Sequence, residues 1–418
     1  MLARSIRSTK LVGLLVSALM VLLLSGCGEE SAGGGGTQAD GGRATEATEG
    51  FGEPDFGSLE SGGGTQADSS ATHLTADNMQ KVDDLIAQAM QDNNLPGVVV
   101  GVWTPDEGEY VSAQGTANRD TGRAREPEDP FRIASVTKTF TGTAILQLVD
   151  QGLLSKSDPL STWYPDFPNA DEITVDDLLR MRSGLVDPLD KDFLQEFYDD
   201  PELEYTPEDA IEAAAARADE FESPNQKTEY NNLNFIMLGE IVGKVSGNDF
   251  GDQVAQNIFE PLSMTNSLYP TNNQLPGELH GYSLNPETGE FDDKTVLNPG
   301  VAGGAGAIIS GLSDLRTYAS ALCTGELLQP ETQAARLDAQ QMDGEADFIK
   351  YGEGILELGK FCGHTGTVFG FSSEMFYLPE EDAVILVNVN RLDEDDESKS
   401  TDLFLAVSKT LFPEYVDW

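Results

Sequence analysis

Ser135 and Lys138 place a hydroxyl and an amine three positions apart in the run FRIASVTKTF, which extends from Phe131 to Phe140. Residues at i and i+3 of an α-helix are neighbours on one face, with Cβ atoms about 5–6 Å apart, so the amine can reach the hydroxyl if this run is helical. A lysine that has lost its proton can accept the proton of a serine and activate the serine as a nucleophile. The spacing alone has low specificity, because the same pair occurs on ordinary helix surfaces.

Two later segments carry further reactive groups. Tyr230-Asn231-Asn232 offers a phenol and amides, and His364-Thr365-Gly366 offers an imidazole, a hydroxyl and a glycine. Each segment also has an ordinary structural interpretation, since Asn is a preferred helix cap and Gly366 fits a β-bulge. The order of the three segments along the chain carries more weight than any of them alone.

The pattern around Ser135 predicts the elements that position it. Apolar residues recur at helical spacing after Lys138, so a buried helix is expected to begin near Ser135 and end near Gly152. The start of a helix offers unpaired N–H groups and partial positive charge to an anion. A helix capped by Thr75, and strands at 98–103 and 110–114 joined by a turn at 105–108, are expected before it.

The rest of the chain divides by pattern into a helical part and a mixed part. Residues 153–295 read mostly as loops and helices, the latter at 174–180, 207–216, 234–245 and 250–258, which predicts an inserted helical lobe. After residue 300 the pattern predicts a helix at 312–322, strands at 352–358, 372–378 and 383–390, and a closing helix at 401–411. Periodicity by itself therefore indicates a mixed α/β fold.

The three reactive segments, in this order, resemble the serine β-lactamase and penicillin-binding-protein superfamily. The branch that they resemble holds class C β-lactamases, D-alanyl-D-alanine carboxypeptidases and related esterases. Four more phrases resemble that branch: ITVDDLLRMRSGL at 173–185, PLSMTN at 261–266, AGGAGAIISGLSDL at 302–315 and GHTGTVFGF at 363–371. The resemblance covers residues 74–415. It implies a β-lactamase/transpeptidase-like α/β (α+β) fold, with a mostly antiparallel sheet flanked by helices (about 74–150 and 300–418) and an inserted all-helical lobe (about 151–299).

The resemblance also implies roles for the residues of the site. Ser135 is the nucleophile, and Lys138 and Tyr230 share the proton transfers, with the base of the acylation step left open between them. Asn232 is expected to hold the acyl side chain of the substrate through its amide. The oxyanion is expected between the backbone N–H groups of Ser135 and Thr367, on an edge strand that also carries the substrate-binding residues Thr365 and Gly366. The shape of the acyl pocket depends on loops at 187–206 and 270–298, which the sequence does not define.

His364 departs from the lysine that is more frequent at its motif position. Lysine is a permanent cation for a substrate carboxylate, whereas a histidine of ordinary pKa is charged only in part near neutral pH. The departure is known among D,D-peptidases, D-aminopeptidases and esterases of the branch, and it weakens a β-lactamase interpretation. A Ser-His-Asp triad is disfavoured because the chain has only three histidines and lacks a Gly-x-Ser-x-Gly elbow. The other two are His73, assigned to a tether, and His280, interpreted as structural or solvent-facing.

The N-terminal residues predict export. Basic residues within 1–10 precede the apolar run LVGLLVSALMVLLL at 11–24, which is shorter than the roughly 20 residues of a spanning helix. Leu24-Ser25-Gly26-Cys27 resembles a bacterial lipobox, which predicts a signal peptide at 1–26 and a membrane anchor on Cys27; a plain secretory signal is the alternative. Residues 27–73 are rich in small and acidic residues, contain GGGTQAD twice and predict a flexible tether. The folded catalytic domain is expected at 74–418.

The charge and the cysteines of the chain limit the kinds of partner, cross-link and cofactor that we expect. With 72 acidic against 25 basic residues, the formal charge of −47 argues against nucleic acid as a partner. This excess fits a high-salt habitat or simply an acidic secreted protein. Cys323 and Cys362 remain after Cys27 and are expected to form a disulfide in an exported protein. Their spacing is not that of metal ligands, and the expected chemistry needs no metal and no cofactor.

The sequence thus predicts a lipid-anchored serine hydrolase that forms an acyl-enzyme on Ser135. A D,D-carboxypeptidase-like enzyme or a related peptidase or esterase is favoured, with small peptides, esters or β-lactams as substrates. A class C-type β-lactamase is the alternative enzyme, and a non-catalytic penicillin-binding or sensor module is the alternative outside catalysis. The oligomeric state is left open.

Overall fold

The computed structural model describes residues 72–285, 288–393 and 399–416. The signal segment, Cys27 and both copies of GGGTQAD lie outside these residues, so export and lipid attachment stay predictions. In the described parts of the chain, no helix is both long enough and apolar enough to cross a bilayer.

Thirteen strands are found within the described residues. They are β1 (Gly97–Thr104), β2 (Gly108–Asn118), β3 (Arg123–Ala124), β4 (Phe131–Arg132), β5 (Tyr282–Leu284), β6 (Phe291–Asp293), β7 (Ile309–Ser310), β8 (Gln340–Gln341), β9 (Ile349–Tyr351), β10 (Leu356–Leu358), β11 (Phe361–Val368), β12 (Phe371–Leu378) and β13 (Ala383–Val389).

Ten α-helices accompany these strands in the same parts of the chain. They are α1 (Ala76–Asp92), α2 (Thr137–Asp150), α3 (Val175–Leu179), α4 (Lys191–Asp199), α5 (Pro207–Ala215), α6 (Asn232–Ser246), α7 (Phe250–Val254), α8 (Leu312–Thr324), α9 (Pro330–Arg336) and α10 (Lys399–Leu411).

Nine of these strands form one antiparallel sheet in the order β3-β2-β1-β13-β12-β11-β10-β9-β8. Every residue of β1, β12 and β13 is buried, as expected of strands covered on both faces. Two adjacent residues of β11 contact helices on opposite faces of the sheet. Phe361 packs edge-to-face on Phe404 of α10, whereas Cys362 is bonded to Cys323 of α8. The expected antiparallel sheet flanked by helices is confirmed.

Most of the elements predicted from local patterns are present with small shifts at their ends. Thr75 caps α1 by accepting a hydrogen bond from the Asn78 N–H at 3.1 Å. Residues Thr137 to Leu148 of α2 are buried except Gln147, so this helix lies inside the protein on nearly all sides. Its Phe140 ring stacks on Tyr318 of α8 at a centroid distance of 3.7 Å, which fixes α2 between α8 and the helices of the inserted segment.

Three expectations were wrong. The segment 151–299 is not all-helical, because β5 and β6 pair as antiparallel strands, and beyond them the Asn285 N–H donates to the Glu290 carbonyl at 2.8 Å. The strand carrying His364 is not an edge strand, since β11 lies between β12 and β10, although β10 pairs only with residues 361–363 of it. His73 is not part of a flexible tether: it is buried, its ring lies 4.6 Å from that of Phe412, and its Nδ1 lies 2.8 Å from the Leu411 carbonyl oxygen.

The segment 187–206, treated as a loop, contains helix α4. Asp190 caps this helix by accepting a hydrogen bond from the Phe193 N–H at 3.1 Å. The start signal was therefore in the sequence, but it was not combined with the apolar positions that follow.

We expect Glu374→Gln to flatten the dependence of stability on pH. Burial raises the pKa of the Glu374 carboxyl on β12 to about 8, while Ser400 and Thr401 donate hydrogen bonds to it at 2.9 and 2.6 Å. An unfolded glutamate releases its proton near pH 4.3. Between these two values the folded state binds the extra proton, so the free energy of unfolding falls as pH rises, by up to about 1.4 kcal/mol per pH unit.

Denaturant titrations from pH 5 to 8 measure this slope, and the glutamine variant should lose that part of it. Glu380→Gln is the control, because it makes the same substitution at an exposed side chain just beyond the end of the same strand. Equal slopes for the wild type and the Glu374→Gln variant would contradict the prediction.

Candidate active site

Ser135 lies in a single 3-10 turn, Ala134–Val136, that leads directly into α2. Ala134 has a φ of 47°, in the left-handed region that costs a non-glycine residue about 1–3 kcal/mol. Hydrogen bonds on both sides hold the turn: the Ile133 N–H donates to the Ile308 carbonyl at 3.1 Å, and the Ile308 N–H donates to the Thr137 hydroxyl at 3.1 Å. Strain at the residue before a candidate nucleophile is typical of catalytic turns.

Lys138 is fully buried one helical turn after Ser135. Its Nζ lies 2.9 Å from the Ser135 hydroxyl oxygen, 2.8 Å from the Asn232 side-chain oxygen and 3.0 Å from the Ala305 carbonyl oxygen. Burial disfavours the charged form and lowers the pKa of Lys138 to about 7, and the negative charge of Asp187 acts in the opposite direction. The predicted contact between the amine and the hydroxyl is present.

A close approach of two backbones places the Ala305 carbonyl. A Cβ added to Gly304 would lie 2.7 Å from the Phe235 carbonyl oxygen and 2.9 Å from the Cα of Gly239. Only glycine allows the segment 303–305 to lie this near α6. The glycine-rich phrase at 302–315 thus supplies an acceptor to Lys138.

Tyr230 precedes α6, whose N-cap is Asn231 rather than Tyr230 or Asn232. Its ring centroid lies 4.8 Å from the Lys138 Nζ. Burial raises the pKa of Tyr230, so the phenol keeps its proton at neutral pH and is available as a donor.

Asn232 lies at the first position of α6, and its amide makes contacts that differ from the expected ones. The oxygen accepts from Lys138 at 2.8 Å, and the nitrogen donates to Asp187 at 2.9 Å. Both ends of the amide are thus engaged inside the protein, where Asn232 contacts the amine of Lys138. The expected contact with the acyl side chain of a substrate stays a prediction.

Asp187 was missed by the sequence analysis as a residue of the site. It is buried, accepts hydrogen bonds from the backbone and side chain of Asn232, and has a pKa raised by that burial. The only local signal was its place two residues after the recognised phrase at 173–185, which does not distinguish it from a loop aspartate.

His364 is fully buried, and both nitrogens of its ring lie near protein atoms. Its Nδ1 lies 2.6 Å from the Thr365 carbonyl oxygen and its Nε2 lies 3.1 Å from the Tyr351 hydroxyl. A carbonyl only accepts, so Nδ1 carries the proton and Tyr351 donates to Nε2. Burial and the nearby Lys138 lower the pKa of His364 to about 3. The lowered pKa of His364 thus differs from the ordinary histidine pKa that the sequence suggested, which would have left the ring partly charged near neutral pH.

Gly366 brings β11 against the turn that holds the nucleophile. A Cβ added there would lie 2.2 Å from the Ile133 carbonyl oxygen and 3.3 Å from the Ser135 nitrogen. Ser135, Thr365 and Thr367 are each partly exposed, so they remain accessible where the strand meets the turn. This arrangement is compatible with an oxyanion site between the N–H groups of Ser135 and Thr367.

The remaining predicted residues lie away from this cluster. Cys323 and Cys362 are bonded to each other with a Cα–Cα distance of 6.2 Å. His280 is partly exposed and pairs with Asp293 at 2.5 Å. Among the described residues, His73, Glu381 and Glu414 form one grouping with metal-binding atoms within 4.8 Å of one another, and it adjoins the Phe412 ring rather than Ser135.

The sheet, the helices and the Ser-Lys-Tyr cluster together match the β-lactamase/transpeptidase fold. The family model described as Beta-lactamase matches residues 82–408, and the chain belongs to this family.

Relatives of known sequence and structure fall in the same group. Putative penicillin-binding protein PbpX of Bacillus subtilis (strain 168) is 28% identical over 272 residues, covering 63% of this chain and 63% of that protein. Protein flp of Staphylococcus aureus (strain N315) is 28% identical over 233 residues, covering 52% of this chain and 44% of that protein, so the chain spans less than half the length of this relative.

Two solved structures are similar over most of the described chain. A D-stereospecific amidohydrolase from Streptomyces sp. superposes with a TM-score of 0.70 at 26% identity, covering 82% of this chain and 99% of that one. A penicillin binding protein from Bacillus halodurans does so with a TM-score of 0.67 at 26% identity, covering 77% and 98%.

We expect Gly366→Ala to slow acylation of Ser135 by about 100-fold or more, the usual cost of losing an oxyanion donor. The added methyl group would collide with the Ile133 carbonyl and push β11 away from the turn. The rate of covalent labelling by a fluorophosphonate measures the effect. Gly243→Ala on α6 is the matched control, because its nearest contact would be an ordinary 3.5 Å. Labelling of the Gly366→Ala variant at the wild-type rate would exclude this role for β11.

Proposed function

We propose that this chain is a hydrolase that forms an acyl-enzyme on Ser135 with Lys138 as the base, and that it acts on amides or esters whose leaving group carries no carboxylate. The observation that carries the first part is the set of three contacts around the Lys138 amine. The second part is supported by the buried, uncharged His364.

The contacts of Lys138 give its neutral amine one orientation. A neutral amine has two N–H groups and one lone pair. The oxygen of Asn232 and the carbonyl of Ala305 accept the two N–H groups, at 2.8 and 3.0 Å. The lone pair then faces the Ser135 hydroxyl at 2.9 Å and can accept its proton.

The proposed reaction follows from these positions. Ser135 attacks the substrate carbonyl as its proton moves to Lys138, and the oxyanion accepts from the N–H groups of Ser135 and Thr367. The bond to the leaving amine or alcohol breaks, and the Tyr230 phenol, protonated at neutral pH, relays the proton to it. Water then attacks the ester carbonyl and gives a proton to the same network. The bond between the acyl carbon and the Ser135 oxygen breaks as a proton returns from the network to that oxygen, and the acid is released.

The charge of the site favours a leaving group without a carboxylate. A carboxylate bound in a buried site needs a cation or several N–H donors to offset its desolvation. His364 is neutral because burial lowers its pKa to about 3, and Lys138 already uses its N–H groups within the protein. The similarity to a D-stereospecific amidohydrolase also favours an amide substrate.

A D,D-carboxypeptidase-like activity is the second candidate, favoured by the similarity to penicillin-binding proteins. Its substrates end in a carboxylate, as do those of a class C-type β-lactamase. Because His364 is neutral, both of these activities are less favoured than that of an amidase or esterase. A non-catalytic sensor is disfavoured by the intact contact between Ser135 and Lys138.

We expect a fluorophosphonate to label the wild type and to leave Ser135→Ala unlabelled. Amino acid amides and their esters should then be hydrolysed with kcat/KM at least about 10-fold above that for peptides of the same acyl group that end in a free carboxylate, which corresponds to about 1.4 kcal/mol. Equal labelling of both forms would remove the catalytic proposal. Preferred cleavage of the carboxylate-ended peptide, or of a cephalosporin, would reverse the order of substrates.

The same proposal locates the enzyme outside the cytoplasm, anchored through a lipid on Cys27, on the strength of residues 1–27 alone. Cys27→Ser should move the protein from the membrane fraction to the soluble exported fraction. Cys323→Ser is the control, since that cysteine lies in the folded domain. An unchanged distribution of the Cys27→Ser variant would contradict lipid attachment at this residue.

A further inference from the structure

We propose that Asp187 is a positioning residue for the reaction: its carboxylate fixes the orientation of the Asn232 amide and thereby directs the lone pair of Lys138 towards Ser135. This inference rests on the proposed function, since it concerns how the base of that reaction is held.

The contacts of Asp187 are those of an ionised carboxylate. Its Oδ2 accepts from the Asn232 backbone N–H at 2.7 Å and from the Asn232 side chain at 2.9 Å. Its Oδ1 accepts from the Leu189 N–H at 2.9 Å. All three hydrogen bonds come from uncharged N–H groups, so the negative charge of Asp187 is solvated by the protein without a salt bridge among them.

The carboxylate determines which end of the amide faces the lysine. An ionised carboxylate only accepts, so the NH2 group of Asn232 must face Asp187 and the oxygen must face Lys138. Turned by 180°, the amide would direct an N–H group at the Lys138 Nζ. That group would compete with the Ser135 hydroxyl for the lone pair, and the base would be lost.

Charge provides a second effect on the same residue. Asp187 favours the protonated form of Lys138 and so opposes the effect of burial on the lysine. The other titratable groups around the pair are Tyr230 and His364 beside the lysine, and Tyr205 and Asp190 near the aspartate. Arg217 reaches only the Asp187 backbone carbonyl, at 3.4 Å, while its guanidinium pairs with Asp190 and Glu220. The charge of Asp187 therefore acts on Lys138 and also on the phenols of Tyr230 and Tyr205, which keep their protons at neutral pH.

Two substitutions separate the two effects. Asp187→Asn removes the charge but keeps an oxygen that can accept from Asn232, and its size is unchanged. Asp187→Ala removes both the charge and the acceptor, which frees the amide to turn. Asp190→Asn is the matched control, because it removes a charge from the same segment while an asparagine can still cap α4.

The measurement is the rate constant for labelling of Ser135 by an uncharged fluorophosphonate between pH 5 and 9, with the full chain. In the wild type the rate should fall below about pH 7 as Lys138 gains its proton. Loss of the Asp187 charge should move this acid limb to lower pH by about one unit, in both variants. The plateau rate should fall less than about 10-fold in Asp187→Asn and about 100-fold or more in Asp187→Ala, and Asp190→Asn should match the wild type.

Thermal unfolding monitored by circular dichroism shows whether each variant is folded. A merely structural role of Asp187 predicts no shift of the acid limb. An unshifted acid limb in a folded Asp187→Asn variant would therefore overturn the inference. A plateau rate for a folded Asp187→Ala variant within threefold of Asp190→Asn would also overturn it. Should Asp187→Ala not fold, the shift in the isosteric Asp187→Asn decides. Failure of the proposed function is a separate result, seen as absence of labelling in the wild type itself.

Discussion

The site depends on the burial of one amine. A lysine in water has a pKa of about 10.4, so at neutral pH it is protonated and cannot act as a base. Lys138 is withdrawn from water inside a helix that is buried on nearly all sides, which makes the neutral amine accessible near pH 7. Burial of a polar group is costly unless its hydrogen bonds are satisfied, so the surrounding structure must supply acceptors at fixed positions. The arrangement of Asn232 and Ala305 meets this requirement.

The acceptors come from distant parts of the chain, which explains why the fold around them is so closely packed. Asn232 is held at the start of α6, and Ala305 is held by the contact of Gly304 with the same helix. The stacking of Phe140 on Tyr318 fixes α2 from the other side. A shift of any of these elements by 1 Å would lengthen a hydrogen bond to Lys138 beyond its useful range. The packing of the core therefore determines whether the hydrogen bonds of Lys138 are satisfied.

Local signals made the reactive residues and most helices predictable from the sequence. Helical spacing and the Thr75 cap depend only on neighbouring residues, and the contact of Ser135 with Lys138 follows from one turn of helix. Asp187 was not predictable, because its role arises only when a loop meets the first turn of α6, far away in sequence. The protonation state of His364 was likewise not predictable, since burial and the nearby Lys138 are what lower its pKa. The antiparallel arrangement of the sheet came from family resemblance and not from periodicity, which carries no information on strand order.

The neutral state of His364 and the acidity of the chain act over different distances on the same substrate. The formal charge of −47 repels an anion approaching from solution, but at physiological ionic strength this repulsion decays over about 8 Å. Discrimination at the bond to be broken must therefore come from groups in direct contact with the leaving group. A protonated histidine there would attract a carboxylate despite the surrounding acidity, whereas a histidine whose pKa is lowered by burial offers no such attraction. Both the distant and the near contributions disfavour an anionic leaving group, and this is the physical basis of the proposed preference for uncharged amides and esters over the carboxylate-ended substrates that a lysine at position 364 would attract.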